Sequence, residues 1–128
     1  MNVVKSVLFA IVFISACANA QNIGIPIATT MTVTFPDSST TFDPPFEVKM
    51  NLEQANDAVI IYVSGRTSTS TPSPRDEALA FKRAASARAY LINHGVSPLK
   101  IMVNYASASD YAVDNSTPWG RQANQRVE

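Results

Sequence analysis

Lys82, Arg83 and Arg88 follow a polar loop of Ser, Thr and Pro (residues 66–75), and that loop follows the most apolar stretch outside the N-terminal segment. A strand end and a helix face joined by such a loop can converge on one point. A guanidinium held there is a planar fork matched to a carboxylate. The chemistry on offer is binding rather than bond-making. No Ser, His and Asp series sits in a recognisable motif, and Gly65 stands alone where a phosphate loop needs several glycines. The single histidine, His94, lies in Asn93-His94-Gly95 at a predicted helix end, with no Cys, His or paired carboxylate beside it in the pattern. Neither catalytic residues nor a metal or cofactor are expected.

The 128 residues have room for one domain. Lys plus Arg number 10 and Asp plus Glu number 10, so no global field favours nucleic acid. Residues 1–20 differ from the rest: Lys5 gives a positive start, residues 7–14 (VLFAIVFI) are an apolar run too short to span a bilayer, and small residues follow. This pattern predicts an export signal with two overlapping processing sites, one before Cys17 and one after Ala20. Residues 14–17 (ISAC) resemble a bacterial lipobox, in which the cysteine is diacylated. Residues 18–20 (ANA) before Gln21 fit the A-x-A rule of ordinary signal peptidase. Cys17 is the only cysteine, so the exported body has no disulfide and a lipid anchor suits the residue. The expected location is the periplasmic face of the outer membrane, with a soluble periplasmic protein as the alternative.

Residues 21–30 read as a linker and 31–128 as the domain. Residues 31–35 (MTVTF) alternate and predict a strand with one buried face. Asp43 before Pro44-Pro45 is a candidate N-cap for a short helix over 46–54, with Phe46, Met50 and either Val48 or Leu52 turned inward. Residues 58–63 (AVIIYV) predict a central strand covered on both faces. Asp76 or its neighbours cap a helix that runs to about Asn93 and stops before Gly95; Ala80, Ala84, Ala87 and Leu91 give it a flat, small-residue face. Residues 99–105 (LKIMVNY) predict a third strand. A polar loop, a helical turn near residues 120–124 and the start of a last strand at residues 126–128 follow. The order is β-α-β-α-β with a further strand begun.

Several segments together resemble the OmpA-like C-terminal domain, the peptidoglycan-associating module of outer-membrane proteins, lipoproteins and flagellar stators. The family pattern has F-x-x-x-S, then G-H-T-D, R-A and Y-L on a helix, G-V-x-x-x-x-I, and D-N-x-T-x-x-G-R-x-x-N-R-R-V-E. Here stand Phe35 with Ser39, Gly65-Arg66-Thr67-Ser68, Arg83-Ala84 with Tyr90-Leu91, and Gly95-Val96 to Ile101. Asp114-Asn115-Ser116-Thr117, Gly120-Arg121 and Asn124-Gln125-Arg126-Val127-Glu128 complete the match.

The resemblance implies an α+β fold, a β-α-β-α-β sandwich of a small mixed sheet with two helices on one face. It also implies non-covalent binding of the peptidoglycan peptide stem at diaminopimelate. Arg83 would receive the carboxylate, with Ser68, Thr67 and Asp76 contacting the rest and Arg126 closing the site. Ser68 replaces the family's Asp, so the partner for the ligand's ammonium lacks a charge. Asp76 is either a second carboxylate for that ammonium or an ordinary helix-start charge. Arg121 and Asp114 are expected to hold the loop by pairing, and Trp119 to pack on it. The rival to wall binding is a structural subunit of an outer-membrane secretion or conjugation assembly that has lost it, docking on other envelope proteins. The last strand is expected either to be completed by a partner or to stay short, and an open sheet edge of that kind can accept another chain.

Overall fold

The computed structural model describes residues 12–15 and 27–128. Cys17 and most of the predicted export signal and linker lie outside the described residues. The elements are β1 (Val12–Ser15), β2 (Ile27–Thr29), β3 (Val33–Thr34), α1 (Phe46–Leu52), β4 (Ala58–Arg66), α2 (Pro74–Asn93), β5 (Ile101–Ala106), α3 (Pro118–Asn124) and β6 (Arg126–Val127). The α+β class and mixed sheet are those expected from the sequence.

β4 is the hub of the sheet. Along one edge it pairs in parallel with β5, Ile61 opposite Ile101 through Arg66 opposite Ala106. Its other edge is shared: β6 pairs with it at Gly65 and β1 along residues 58–62, both antiparallel. β3 pairs with β6, and β2 with β1, so those two short strands lie along the outer side. The result is the geometry of a four-stranded mixed sheet in which two of the four positions are each filled by two segments.

The apolar run of β4 forms a strand because β-branched residues suit a pleated, packed surface. Ile61 and Val63 point into a core with Phe35, Val48, Leu52, Ala84, Ala87, Leu91 and Val127. Each of the Val, Leu, Ile and Phe side chains among them, fully buried, contributes about 1.5–3 kcal/mol. Phe42 bridges the layers, its ring 6.4 Å from Phe35 and 5.2 Å from Tyr90 between centroids. The second face of β4 is open, not covered: Tyr62 and Met102, opposite each other in the register, are both largely exposed. The core helices α1 and α2 pack on the same side, and a continuous apolar run cannot reveal that one of its faces lacks a partner.

Two details of α1 differ from expectation. Val48 and Leu52 face the core, while Phe46 and Met50 are exposed. Both pairs have the same helical spacing, so tertiary contact and not periodicity chose the face. The N-cap is Pro45, without a side-chain cap, and Asp43 instead pairs with Lys49 at 3.3 Å.

Candidate functional site

The close approach of α2 to β4 begins with a missing side chain. A Cβ at Gly65 would lie 2.1 Å from the Ala80 carbonyl oxygen and 3.0 Å from the Ala84 Cβ. Glycine on the strand and alanines on the helix therefore let the two backbones meet, and Arg83, one turn along α2, reaches the end of β4.

Arg83 is fully buried. Its Nε donates to the Ser39 carbonyl at 2.9 Å, Nη1 to the Arg66 carbonyl at 3.1 Å, and Nη2 to the Pro36 carbonyl at 3.3 Å and to Gln125 Oε1 at 3.0 Å. The guanidinium carbon also sits 5.1 Å from the centroid of the Phe35 ring, a cation–π geometry. Burial pulls the Arg83 pKa down to about 10, opposed by the Asp37 carboxylate. Four hydrogen bonds from a group with five N–H donors leave one for anything else. A ligand carboxylate must use that donor or displace a carbonyl.

Above Arg83 lies a polar rim. Thr67 is buried, and its hydroxyl shares a hydrogen bond with the Thr69 hydroxyl at 2.9 Å. Ser68 is half-buried; its carbonyl accepts from Asn115 Nδ2 at 2.7 Å, and its hydroxyl makes no hydrogen bond among the described residues. Tyr111 donates its phenol to the Thr69 carbonyl, a second clasp on the same loop. Asp76 is three residues inside α2, whose N-cap is Ser73: Ser73 Oγ accepts from the Asp76 amide at 3.1 Å and donates to its carboxylate at 2.5 Å. One oxygen of the Asp76 carboxylate is thus committed to the helix start. The helix begins at Pro74, in the first-turn position proline favours.

The far wall is the loop 107–117, held by a fully buried asparagine. Asn124 Oδ1 accepts from the Ala112 and Val113 amides at 2.9 and 3.3 Å, while Nδ2 donates to the Val113 carbonyl and Asn115 Oδ1 at 3.0 and 3.1 Å. Asp114 and Arg121 do hold this loop, but not by pairing with each other. Asp114 accepts from Ser116, which holds its carboxyl below the usual range, and Arg121 donates to the Asn115 and Ser116 carbonyls. Trp119, expected to pack, is largely exposed. His94 stacks on Tyr90 at 4.0 Å and takes no part in the site.

Arg126 is not brought to Arg83. Val127 lies in the core, so its neighbour Arg126 faces the other side of the sheet by strand alternation. There Arg126 bonds Glu128 and the Asp110 carbonyl, while Arg66 clamps Asp110 Oδ2 through Nε at 2.9 Å and Nη2 at 2.8 Å. The expected closing residue is a fastener of loop 107–117. Sequence reading missed Gln125, Asn124 and the Arg66–Asp110 pair. Gln125 carried a signal, since it stands where the resemblance's pattern has Arg. Among the described residues no group of three or more His, Cys, Asp or Glu could hold a metal ion.

A strand hub, a helix drawn in by Gly65 and an arginine seated beneath a Ser/Thr rim define a domain of the OmpA-like class. The OmpA family model matches residues 34–125, and the chain belongs to that family. It is 33% identical over 108 residues to a candidate outer membrane lipoprotein of a type IV secretion system in Brucella suis, a match covering 80% of this chain and 61% of that protein. The chain therefore spans less than two thirds of that relative's length. Among solved structures it is similar to the peptidoglycan-associated lipoprotein of Burkholderia pseudomallei, with 19% identity, a TM-score of 0.65 and coverage of 76% of this chain and 86% of that one. The cell wall anchor of the type VI secretion system of Pseudomonas aeruginosa is 20% identical at a TM-score of 0.55, covering 76% of both chains. At these identities the structures establish the fold.

Proposed function

We propose that this domain is an envelope anchor without catalytic activity, held to the outer membrane through a lipid on Cys17 and to the cell wall through non-covalent binding of the peptidoglycan stem peptide. The diaminopimelate carboxylate approaches the remaining N–H of Arg83, and its ammonium meets Ser68, Thr67 and the outer oxygen of Asp76. The observation that carries this reading is Arg83 itself, buried at the end of β4 and bonded to the Arg66 carbonyl, next in the chain to Thr67 and Ser68. The names of the similar proteins, a secretion-system lipoprotein, a peptidoglycan-associated lipoprotein and a cell wall anchor, support it. Through such an anchor a secretion complex would gain a fixed point on the wall.

A second reading has its own observation. Arg83 already spends four hydrogen bonds on its own chain, and Ser68 brings no charge to the rim. A domain with that pocket serves as a structural subunit whose contacts are to other proteins of the assembly.

Sedimentation with insoluble peptidoglycan separates the two. The processed protein is compared with Ser68→Asp and Asp76→Asn, the fold of each checked by circular dichroism. A charge-assisted hydrogen bond contributes about 1.5–3 kcal/mol, so Ser68→Asp should tighten binding by about one to two orders of magnitude. Wild type that sediments, weakens with Asp76→Asn and strengthens with Ser68→Asp supports the anchor. Wild type that stays in solution while Ser68→Asp sediments supports the subunit with a relic pocket. If neither sediments, the wall-binding reading is wrong.

A further inference from the structure

Away from the Arg83 pocket, on the open face of the sheet, two buried arginines meet on one exposed carboxylate. Arg66 is 9% exposed and is held from behind, its Nη1 donating to the Gly65 carbonyl and to Asn104 Oδ1, both at 2.9 Å. Its Nε and Nη2 close on a single oxygen, Asp110 Oδ2. Arg126 reaches the same residue through Nη2, on the Asp110 carbonyl. The Asp110 side chain is 63% exposed, so the fork it fills opens to solvent.

Two observations set this contact apart from an ordinary surface ion pair. Arg126 Nη1 and Ser107 Oγ are buried and make no hydrogen bond among the described residues, in side chains that belong to residues only 2% and 8% exposed. Buried donors are nearly always paired. The loop segment is also strained, since Ala108 and Asp110 hold φ of 52° and 57°, a region that glycine enters freely and alanine does not. Residues 107–111 therefore close over the arginines against both backbone preference and hydrogen bonding, and the Asp110 carboxylate helps to hold them down.

Along β4 from the fork, the same face is apolar and open. Tyr62 and Met102 stand opposite each other in the register and are 43% and 53% exposed. By strand alternation Tyr62 shares the face of Arg66, four residues and about 13 Å away. Glu128 pairs with Arg126, so exchanging Asp110 for one external carboxylate keeps the charges balanced.

We propose that this fork and face are a docking site for an acidic side chain of another envelope protein, an Asp or Glu on an extended segment with an apolar residue four positions away, and that Asp110 is the internal stand-in which that segment displaces. The chemistry of the occupant follows from the contacts. Two N–H groups on a fixed guanidinium select a carboxylate over a neutral acceptor. Residues four apart on an extended chain share a face, which lays the apolar side chain on Tyr62 and Met102 when the acid sits on Arg66. Displacement releases the strained loop and leaves Arg126 Nη1 free to gain an acceptor. Tyr111, next after Asp110, donates to the Thr69 carbonyl, so the same movement frees a clasp on residues 67–70. Nothing in this site requires peptidoglycan binding at Arg83.

The test uses the full chain and its Asp110→Gly variant, in which glycine accepts the left-handed backbone and the carboxylate is lost; circular dichroism checks the fold. The ligand is a fluorescent peptide, acetyl-Asp-Thr-Thr-Ser-Ile-Gly amide, with one control carrying Asn for Asp and another placing Ile directly after Asp. The expected result is saturable binding, about tenfold or more tighter to Asp110→Gly than to wild type because the internal competitor is gone, and weaker binding of both controls, about tenfold or more for the Asn peptide. In wild type, saturating peptide should speed amide exchange at residues 67–70 and 107–112. Equal affinity for the Asp and Asn peptides would overturn the carboxylate site. Equal affinity of wild type and Asp110→Gly would overturn Asp110 as its stand-in, and an adjacent-Ile peptide that binds as well as the first would overturn the apolar face. If Asp110→Gly does not fold, wild type decides alone: exchange at residues 107–112 that saturating peptide leaves unchanged, or the absence of Asp-dependent binding, overturns the proposal.

Discussion

Gln125 joins a buried cation to a surface carboxylate: its Oε1 accepts from Arg83 Nη2 at 3.0 Å, and its Nε2 donates to Asp37 Oδ1 at 2.6 Å. The amide gives Arg83 a neutral partner and relays the field of Asp37 without placing a second charge in the interior. Gln125→Met keeps the length of the side chain and removes both bonds. It should cost about 1–3 kcal/mol, the penalty for an unsatisfied buried donor, seen as a lower urea midpoint with unchanged slope. Arg83→Ala should cost more, about 3–5 kcal/mol, because it removes four hydrogen bonds and opens a cavity beside Phe35.

The same burial sets a pH dependence. Burial holds the folded pKa of Arg83 at about 10, below the value the guanidinium keeps in the unfolded chain. Between those values the unfolded chain still binds a proton that the folded chain has released, so this group's contribution to stability rises with pH there. Below about pH 10 the cost of the buried charge is carried in full. Urea midpoints of wild type and Arg83→Met at pH 8 and pH 11 should therefore shift relative to each other in favour of wild type at the higher pH. An unchanged difference would mean the guanidinium keeps its ordinary affinity for protons inside the fold.

What could be read in advance follows from the range of the interactions. β4 and α2 were legible because an apolar run and an Ala80-Ala84-Ala87-Leu91 stripe are local patterns that burial enforces directly. The buried face of α1 was not, since Phe46/Met50 and Val48/Leu52 are equally periodic and only the sheet beneath distinguishes them. The outward direction of Arg126 was available from Val127, whose apolar side chain claims the core and sends its neighbour to the opposite face. The Arg83–Gln125 bond spans 42 residues of sequence and leaves no local trace. The convergence of Arg83 on the strand end was legible, but not its use of carbonyls from residues 36, 39 and 66, because backbone acceptors carry no sequence signature.

Gly65 is where helix and strand come closest, and the approach is measurable by substitution. An alanine Cβ there would collide with the Ala80 carbonyl oxygen, a backbone atom that cannot rotate away. Gly65→Ala should force α2 from the sheet and destabilise the protein by about 1–3 kcal/mol or more, as overpacked sites do. The melting temperature should fall, and the displacement should also carry Arg83 away from the Arg66 carbonyl. An alanine variant as stable as wild type would show that α2 does not seat on Gly65 in solution.

Asn115 and Asn124 divide the work of holding the rim, and their substitutions should separate loop order from global stability. Asn124 is fully buried and serves four partners in loop 107–117, so Asn124→Ala should cost about 1–3 kcal/mol and loosen the whole loop. Asn115 reaches out to the Ser68 carbonyl at 2.7 Å and only one of its contacts supports the core. Asn115→Ala should leave the unfolding midpoint within about 0.5–1 kcal/mol of wild type. It should nonetheless speed amide exchange across residues 67–70, where Tyr111 would be left to hold the stretch from the 107–117 loop. If ligand binding depends on a preformed rim, Asn115→Ala should weaken wall sedimentation while the fold stays intact. A variant with fast exchange at residues 67–70 and undiminished sedimentation would instead place the recognition on Arg83 and the helix alone.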